Sequence, residues 1–395
     1  MENRIKKLRS NVWKNYLFMF LRIDFTHGFW MIYLFNKGVD LVYLGLLETV
    51  FHITSFSMEI PTGMIADVFG RKMSRILGRV LFAFANYFIL IGDNIYMFAF
   101  GFFITAISYN LESGAGEALL YDTLKELNEE EKYLKVTGRI EGIYQTTALI
   151  SFLIGGWIAS YDYSLLYILT ISFTVMAVFE AFTFIEPEYK KEEQKEMKPL
   201  EEFKSLIKES YLLIRNNKKV SFFIFSMEFI LSIGTILFFY LQNYWKGQNI
   251  SELEIGIFFA LSSIMGTIGG LTANKIEKKL GQKRFLLIFP FMTVSSVWII
   301  ALSEMHIAAF ILITFVDSLI FVGMNDYINR EIKSNIRATV LSVASMVFSF
   351  YMIILFPIFG YISDNYNFKA AFIFLACISS VILLINSRMI VKNLQ

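Results

Sequence analysis

The chain is poor in the residues that redox and metal chemistry need. Of its 395 residues one is a cysteine, Cys377, so an intrachain disulfide and a paired-cysteine metal site are both excluded. The three histidines, at 27, 52 and 306, are too scattered for ligand spacing. Neither sign of charge dominates: 36 Lys and Arg stand against 34 Asp and Glu, a net +2 that supplies no broad basic surface for a nucleic-acid backbone. A glycine-rich nucleotide loop is missing too, and with it the basis of an ATP-driven pump. No nucleophile or metal constellation marks an enzyme, and no cofactor is called for.

Apolar residues are what the chain has in abundance. It is 56% hydrophobic and 17% aromatic, with a mean hydropathy of +0.54, a composition suited to a bilayer rather than to water. About 20 mainly apolar residues cross a hydrocarbon core of roughly 30 Å. The sequence offers twelve such stretches. Six are centred near His27, Phe51, Ala85, Ile107, Thr147 and Phe173, before a polar segment that begins near Glu186. Six more, after Lys219, are centred near Leu231, Ser263, Val294, Asp317, Phe350 and Leu375. A bilayer offers backbone N–H and C=O groups no partners, so each stretch is expected to be a helix and the fold an all-α polytopic membrane protein. Residues 187–218 read as a charged cytoplasmic linker, in which Phe203, Leu206, Ile207 and Tyr211 fall at the spacing of one surface helix.

Lys and Arg fall almost entirely on one side of these spans. The N-terminus, alternate loops and the C-terminus hold 32 of the 36, against three on the other side, Lys37, Lys246 and Lys369, and one within a span, Arg22. The positive-inside rule then puts both termini in the cytoplasm of a multi-pass protein of the plasma membrane. The basic start leads into a full-length span with no small-residue cleavage site, so a cleaved signal peptide is not expected.

An internal repeat runs through the chain. Gly63-Met64-Ile65-Ala66-Asp67 has a counterpart 207 residues later in Gly270-Leu271-Thr272-Ala273-Asn274, and Gly156-Trp157-Ile158-Ala159-Ser160 one 204 residues later in Gly360-Tyr361-Ile362-Ser363-Asp364. Two six-helix pseudo-repeats are therefore expected, residues 1–186 and 219–395. The run Gly63 to Lys72 reads G-x-x-x-D-x-x-G-R-K between the second and third spans. It resembles the loop 2/3 signature of the major facilitator superfamily, with a degenerate second copy ending Gly281-Gln282-Lys283-Arg284. The resemblance implies alternating access and an inner gate built from Gly63, Asp67, Gly70 and Arg71, with Asp122 as the acid at the end of span 4. It also implies that helices 1, 4, 7 and 10 line a central cavity.

Carboxylates inside spans are the strongest functional clue, because an ionised Asp at a helix centre costs about 2.5–3.5 kcal/mol on insertion scales. Asp24, Glu112, Glu228 and Asp317 lie in spans 1, 4, 7 and 10, paired at offsets of 204 and 205. Arg22 is the positive charge expected among them. Together they are expected to form a substrate and proton-coupling site. Glu48 and His52, four apart on span 2, share a helical face and suit either a proton relay or simple packing. Phe25, Trp30 and Tyr33 could present an aromatic surface to a flat cation.

The expected function is secondary active transport of small molecules, foremost proton-coupled efflux of amphipathic or cationic drug-like compounds, by a monomer that needs only substrate, protons and lipid. Relative to the drug antiporters of that superfamily, span 4 lacks an arginine, and span 5 keeps only the final Gly155-Gly156 of their glycine motif. Proton-symport uptake of a nutrient such as a sugar or peptide is the alternative. A membrane receptor would need a larger exposed module than any loop here supplies.

Overall fold

A computed structural model describes residues 2–188, 205, 208, 211, 212, 215–331 and 337–393. Phe203, Leu206 and Ile207, and with them the surface helix expected in the linker, lie outside the described residues. Thirteen α-helices and no strands occur among the described residues, and eleven of the helices are long and apolar enough to cross a membrane. The chain divides into two compact units, one of residues 1–29 and 50–204 and one of residues 30–49 and 205–395.

The first unit holds α1 (Glu2–Leu21), most of α3 (Leu41–Phe69), α4 (Arg71–Ile91), α5 (Ile95–Glu126), α6 (Tyr133–Ala159) and α7 (Tyr163–Thr183). Local capping sets several of these limits. Asn94 accepts the N–H groups of Tyr96 and Met97 to start α5, and Asp162 accepts that of Ser164 to start α7. Helix α4 packs on α5 and α7. Its approach to α5 requires Gly78, where a Cβ would come within 3.1 Å of the Ser108 carbonyl. Phe18, Ile76, Leu119, Ala177, Ala181 and Phe184 form one core, in which Phe18 and Phe184 meet edge to face at 5.9 Å.

The second unit holds α2 (Trp30–Asn36), the first turns of α3, α8 (Lys218–Gly247), α9 (Glu252–Leu280), α10 (Gln282–Leu302), α11 (His306–Glu331), α12 (Arg337–Asn365) and α13 (Phe368–Asn393). Ser251 and Glu254 close a capping box at the start of α9. The start of α3 is held by α8 and α12. Asp364 accepts the N–H groups of Leu41 and Val42 at 3.2 and 2.8 Å, and the Tyr240 hydroxyl lies 3.2 Å from the Leu41 carbonyl and 2.8 Å from that of Phe356. Pro357 brings no N–H to the carbonyl of Ile353 one turn earlier, and the Thr49 hydroxyl reaches that carbonyl at 3.3 Å. His306 accepts the Trp245 indole N–H at 2.8 Å, a packing role for the third histidine.

The span expected around His27 is not one helix. Helix α1 ends at Leu21, residues 22–29 are irregular, and α2 begins at Trp30. The cause is local competition for backbone hydrogen bonds. The Asp24 carboxylate accepts the Thr26 N–H at 2.9 Å and its hydroxyl at 2.6 Å, while Thr170 on α7 accepts the Phe25 N–H at 3.0 Å and Ser151 on α6 donates to the Asp24 carbonyl.

Candidate functional site

The break between α1 and α2 opens onto a cavity of about 140 Å³ within the first unit. Its lining includes Arg22 and Asp24 from the break, Arg79 and Phe82 from α4, Tyr109 from α5, and Tyr144, Thr147 and Ser151 from α6. His27 is exposed at this wall although it sits in an apolar stretch of sequence.

Beneath the cavity lies a cluster of buried charge. Glu112 on α5 is 2% exposed and meets Arg22 Nε at 3.1 Å and the guanidinium of Arg79. Arg79 is itself 1% exposed, and its Nε has no hydrogen-bond partner among the described residues. One turn earlier on α4, Arg75 donates to Asn15 at 2.7 Å and lies over the rings of Phe18 and Phe184, at 4.0 and 4.8 Å. Arg22 is therefore not the sole buried cation. Arg75 and Arg79 follow directly on the basic loop signature, and sequence position alone assigned them to the cytoplasmic anchors. A usable signal was their spacing of four, which puts both on the α4 face that packs on α5.

The four acids behave differently. Asp24 and Glu112 come together with Arg22 in the first unit, whereas Glu228 and Asp317 belong to the second. Glu112 is an ion-paired strut rather than an acid short of a partner. Asp317 on α11 packs against the backbone of α8 at Gly234, where any Cβ would overlap its Oδ2, and its buried Oδ1 has no hydrogen-bond partner among the described residues. Glu228 is 7% exposed, and no hydrogen bond or ion pair forms at it among the described residues. Asn110 bonds Ser55 on α3 rather than any acid. Glu48 and His52 are both buried. Phe25 packs on Phe173 and Trp30 on Phe239, so each has a packing role of its own.

At the loop between α3 and α4, Arg71 pairs with Asp122 and donates to the Ala118 carbonyl at 2.7 Å. Asp67 is exposed and takes no part in this pair. Glu186, which the sequence did not single out, stands beside Gly70 and accepts the N–H groups of Arg71 and Lys72. Gly70 adopts φ +92°, a conformation glycine tolerates best, whereas Gly63 is exposed with open space around it, so close packing does not explain it. No group of His, Cys, Asp and Glu suited to a metal ion occurs among the described residues.

The sequence matches the family model of the Major Facilitator Superfamily over residues 16–351 and again over 246–393. The chain belongs to the major facilitator superfamily. It is similar to the uncharacterized MFS-type transporter YxaM of Bacillus subtilis (strain 168), with 25% identity over 361 residues that cover 88% of this chain and 87% of that one. It is also 23% identical over 248 residues to Multidrug resistance protein 2 of the same organism, covering 62% of this chain and 60% of the other. Among solved structures, the nucleoside transporter NupG superimposes with a TM-score of 0.76 at 14% identity, covering 98% of each chain. A D-xylose-proton symporter superimposes with a TM-score of 0.71 at 14% identity, covering 95% and 96%. Family and fold are those of multi-pass membrane transporters of small molecules, not of enzymes.

Proposed function

We infer that this member of the superfamily is a proton-coupled exporter of small amphipathic molecules, working by alternating access. Twelve spans in two six-helix repeats, residues 1–186 and 219–395, with both termini cytoplasmic, form its frame. Two parallels support the repeat. Helices α3 and α4, of 29 and 21 residues, are joined at Gly70 with φ 92° and ψ 155°, and α9 and α10, of 29 and 21 residues, are joined at Gly281 with φ 76° and ψ 157°. Helix α4 packs on α7 as α10 packs on α13.

The observation that carries proton coupling is Asp317. A carboxylate in a membrane helix, with a buried oxygen that no donor among the described residues reaches, is stable there with a proton bound and costly without one. Binding and release of that proton is a charge change that can bias two conformations. Export rather than uptake is supported by the resemblance to a multidrug resistance protein. The arginines at the cavity favour neutral or anionic over cationic substrates.

The test is accumulation of a panel of dyes and antibiotics of both charges in an efflux-deficient host. Cells expressing the protein should accumulate less of at least one compound, a protonophore should abolish the difference, and Asp317→Asn at equal expression should abolish it too. Greater accumulation on expression would overturn export, and an active Asp317→Asn would overturn the proton assignment.

A further inference from the structure

We propose that the cavity in the first unit binds the anionic head of a small aromatic acid, with Arg22 and Arg79 as the charge-recognising groups. The proposal takes the cavity as a substrate site and so rests on the transporter reading above.

Charge bookkeeping comes first. Three guanidinium groups, Arg22, Arg75 and Arg79, surround a single paired carboxylate, Glu112, whose two oxygens face Arg22 and Arg79. Asp24 is the one acid in the cavity wall, and its Oδ1 already accepts two bonds from Thr26. The cluster thus keeps one positive charge in excess of its acids. A cation entering here would meet two guanidinium groups for one part-occupied carboxylate, whereas an anion would find the reverse.

Unused donors come second. Arg22 spends its Nε on Glu112, and Nη1 finds only the Met19 sulfur at 4.0 Å, yet the side chain is 25% exposed and lines the cavity. Arg79 lines the same wall with its Nε unpartnered at 1% exposure. A buried charged donor without an acceptor is costly, and a ligand carboxylate would supply the acceptor in the planar geometry that guanidinium favours.

Size and wall chemistry come third. A cavity of about 140 Å³ is close to the roughly 150 Å³ of an engineered cavity that holds one benzene ring. Phe82, Tyr109 and Phe152 give the wall three aromatic side chains, so one aromatic ring with one acid group suits the space.

The test is equilibrium binding of radiolabelled benzoate to the full-length protein in nanodiscs, competed by benzylamine and by benzamide. No gradient is applied, so the result does not depend on proton coupling or on the direction of transport. Failure of the exporter reading would appear in the accumulation assay, and failure of this inference would appear here. Benzoate should bind saturably, and neither competitor should displace it at equal concentration. Arg22→Gln should weaken binding about tenfold, the equivalent of one charge-assisted bond. Glu112→Gln should strengthen it, by releasing two guanidinium groups. Arg22 stands at a half-open edge, so its replacement spares the buried Arg79 pair and tests the site without depending on the fold of the Glu112 variant. Benzylamine displacing benzoate as well as unlabelled benzoate does, no saturable binding at millimolar benzoate, or unchanged affinity in Arg22→Gln would each overturn the proposal.

Discussion

The carboxylate of Glu186 bridges the backbone N–H groups of Arg71 and Lys72, one oxygen to each at 2.8 Å. It thereby caps α4 from a residue 115 positions away in sequence, at the head of the linker. Its neighbours are fixed as firmly. Asn11 bonds both the N–H and the C=O of Ile185, and the Glu188 N–H donates to Glu126 at 2.8 Å. The start of α4, and with it the family signature, is stitched to the root of the linker.

Loss of that cap has a measurable cost. Glu186→Ala should destabilise the first unit by about 0.5–2 kcal/mol, the range for loss of a helix cap, while Glu186→Gln should lose less because one amide oxygen still accepts. The apparent melting temperature of the purified protein orders the three. If the alanine variant melts with the unmutated protein, the cap carries no stability.

The two acids of the gating loop should separate. Asp122→Asn removes the charge that Asp122 places against Arg71 and should lower stability by about 1–3 kcal/mol, discounted from a fully buried pair because Arg71 is partly exposed. Asp67 is exposed and has no hydrogen bond or ion pair among the described residues, so Asp67→Asn should shift stability by less than about 0.5 kcal/mol. A gating role for Asp67, acting in another conformation, would slow transport at unchanged stability. Equal destabilisation by both variants would contradict the observed pairing.

Where Asp364 and Tyr240 hold the start of α3, opening that end must break their bonds. Asp364→Ala and Tyr240→Phe should each raise amide hydrogen exchange in a peptide covering residues 38–46, with the aspartate variant showing the larger effect because it frees two N–H groups. Unchanged exchange in both would show that packing around Gly45 suffices.

Topology is tested with single cysteines. In a Cys377→Ser background, cysteines at Lys37, Lys246 and Lys369 should react with a membrane-impermeant thiol reagent in intact cells, as the 32 to 3 division of basic residues requires. Protection of all three would invert the orientation.

Long apolar runs made readable the eleven described helices that are long and apolar enough to cross a membrane, and the spacing from Gly63 to Lys72 marked the loop where Arg71 meets Asp122. Hydropathy averages over a window, however, and so passed over the break at residues 22–29, which depends on where Thr170 and Ser151 arrive in space. The same limit hid Arg75 and Arg79: as letters they continue a basic loop, and only the packing of α4 on α5 turns them inward. Asp67 is the converse: the signature names it, while the fold leaves it exposed and apart from the Arg71–Asp122 pair. Glu186 lay at the edge of a charged linker, where one acid among many carries no mark.

The interrupted first segment also ties the cavity wall to two helices distant in sequence. Hydroxyls that stabilise its irregular backbone lie 127 and 145 residues downstream, at Ser151 and Thr170. Displacing either helix would withdraw a hydrogen-bond partner from the cavity wall, which couples that wall's backbone to two helices that carry none of the four span acids.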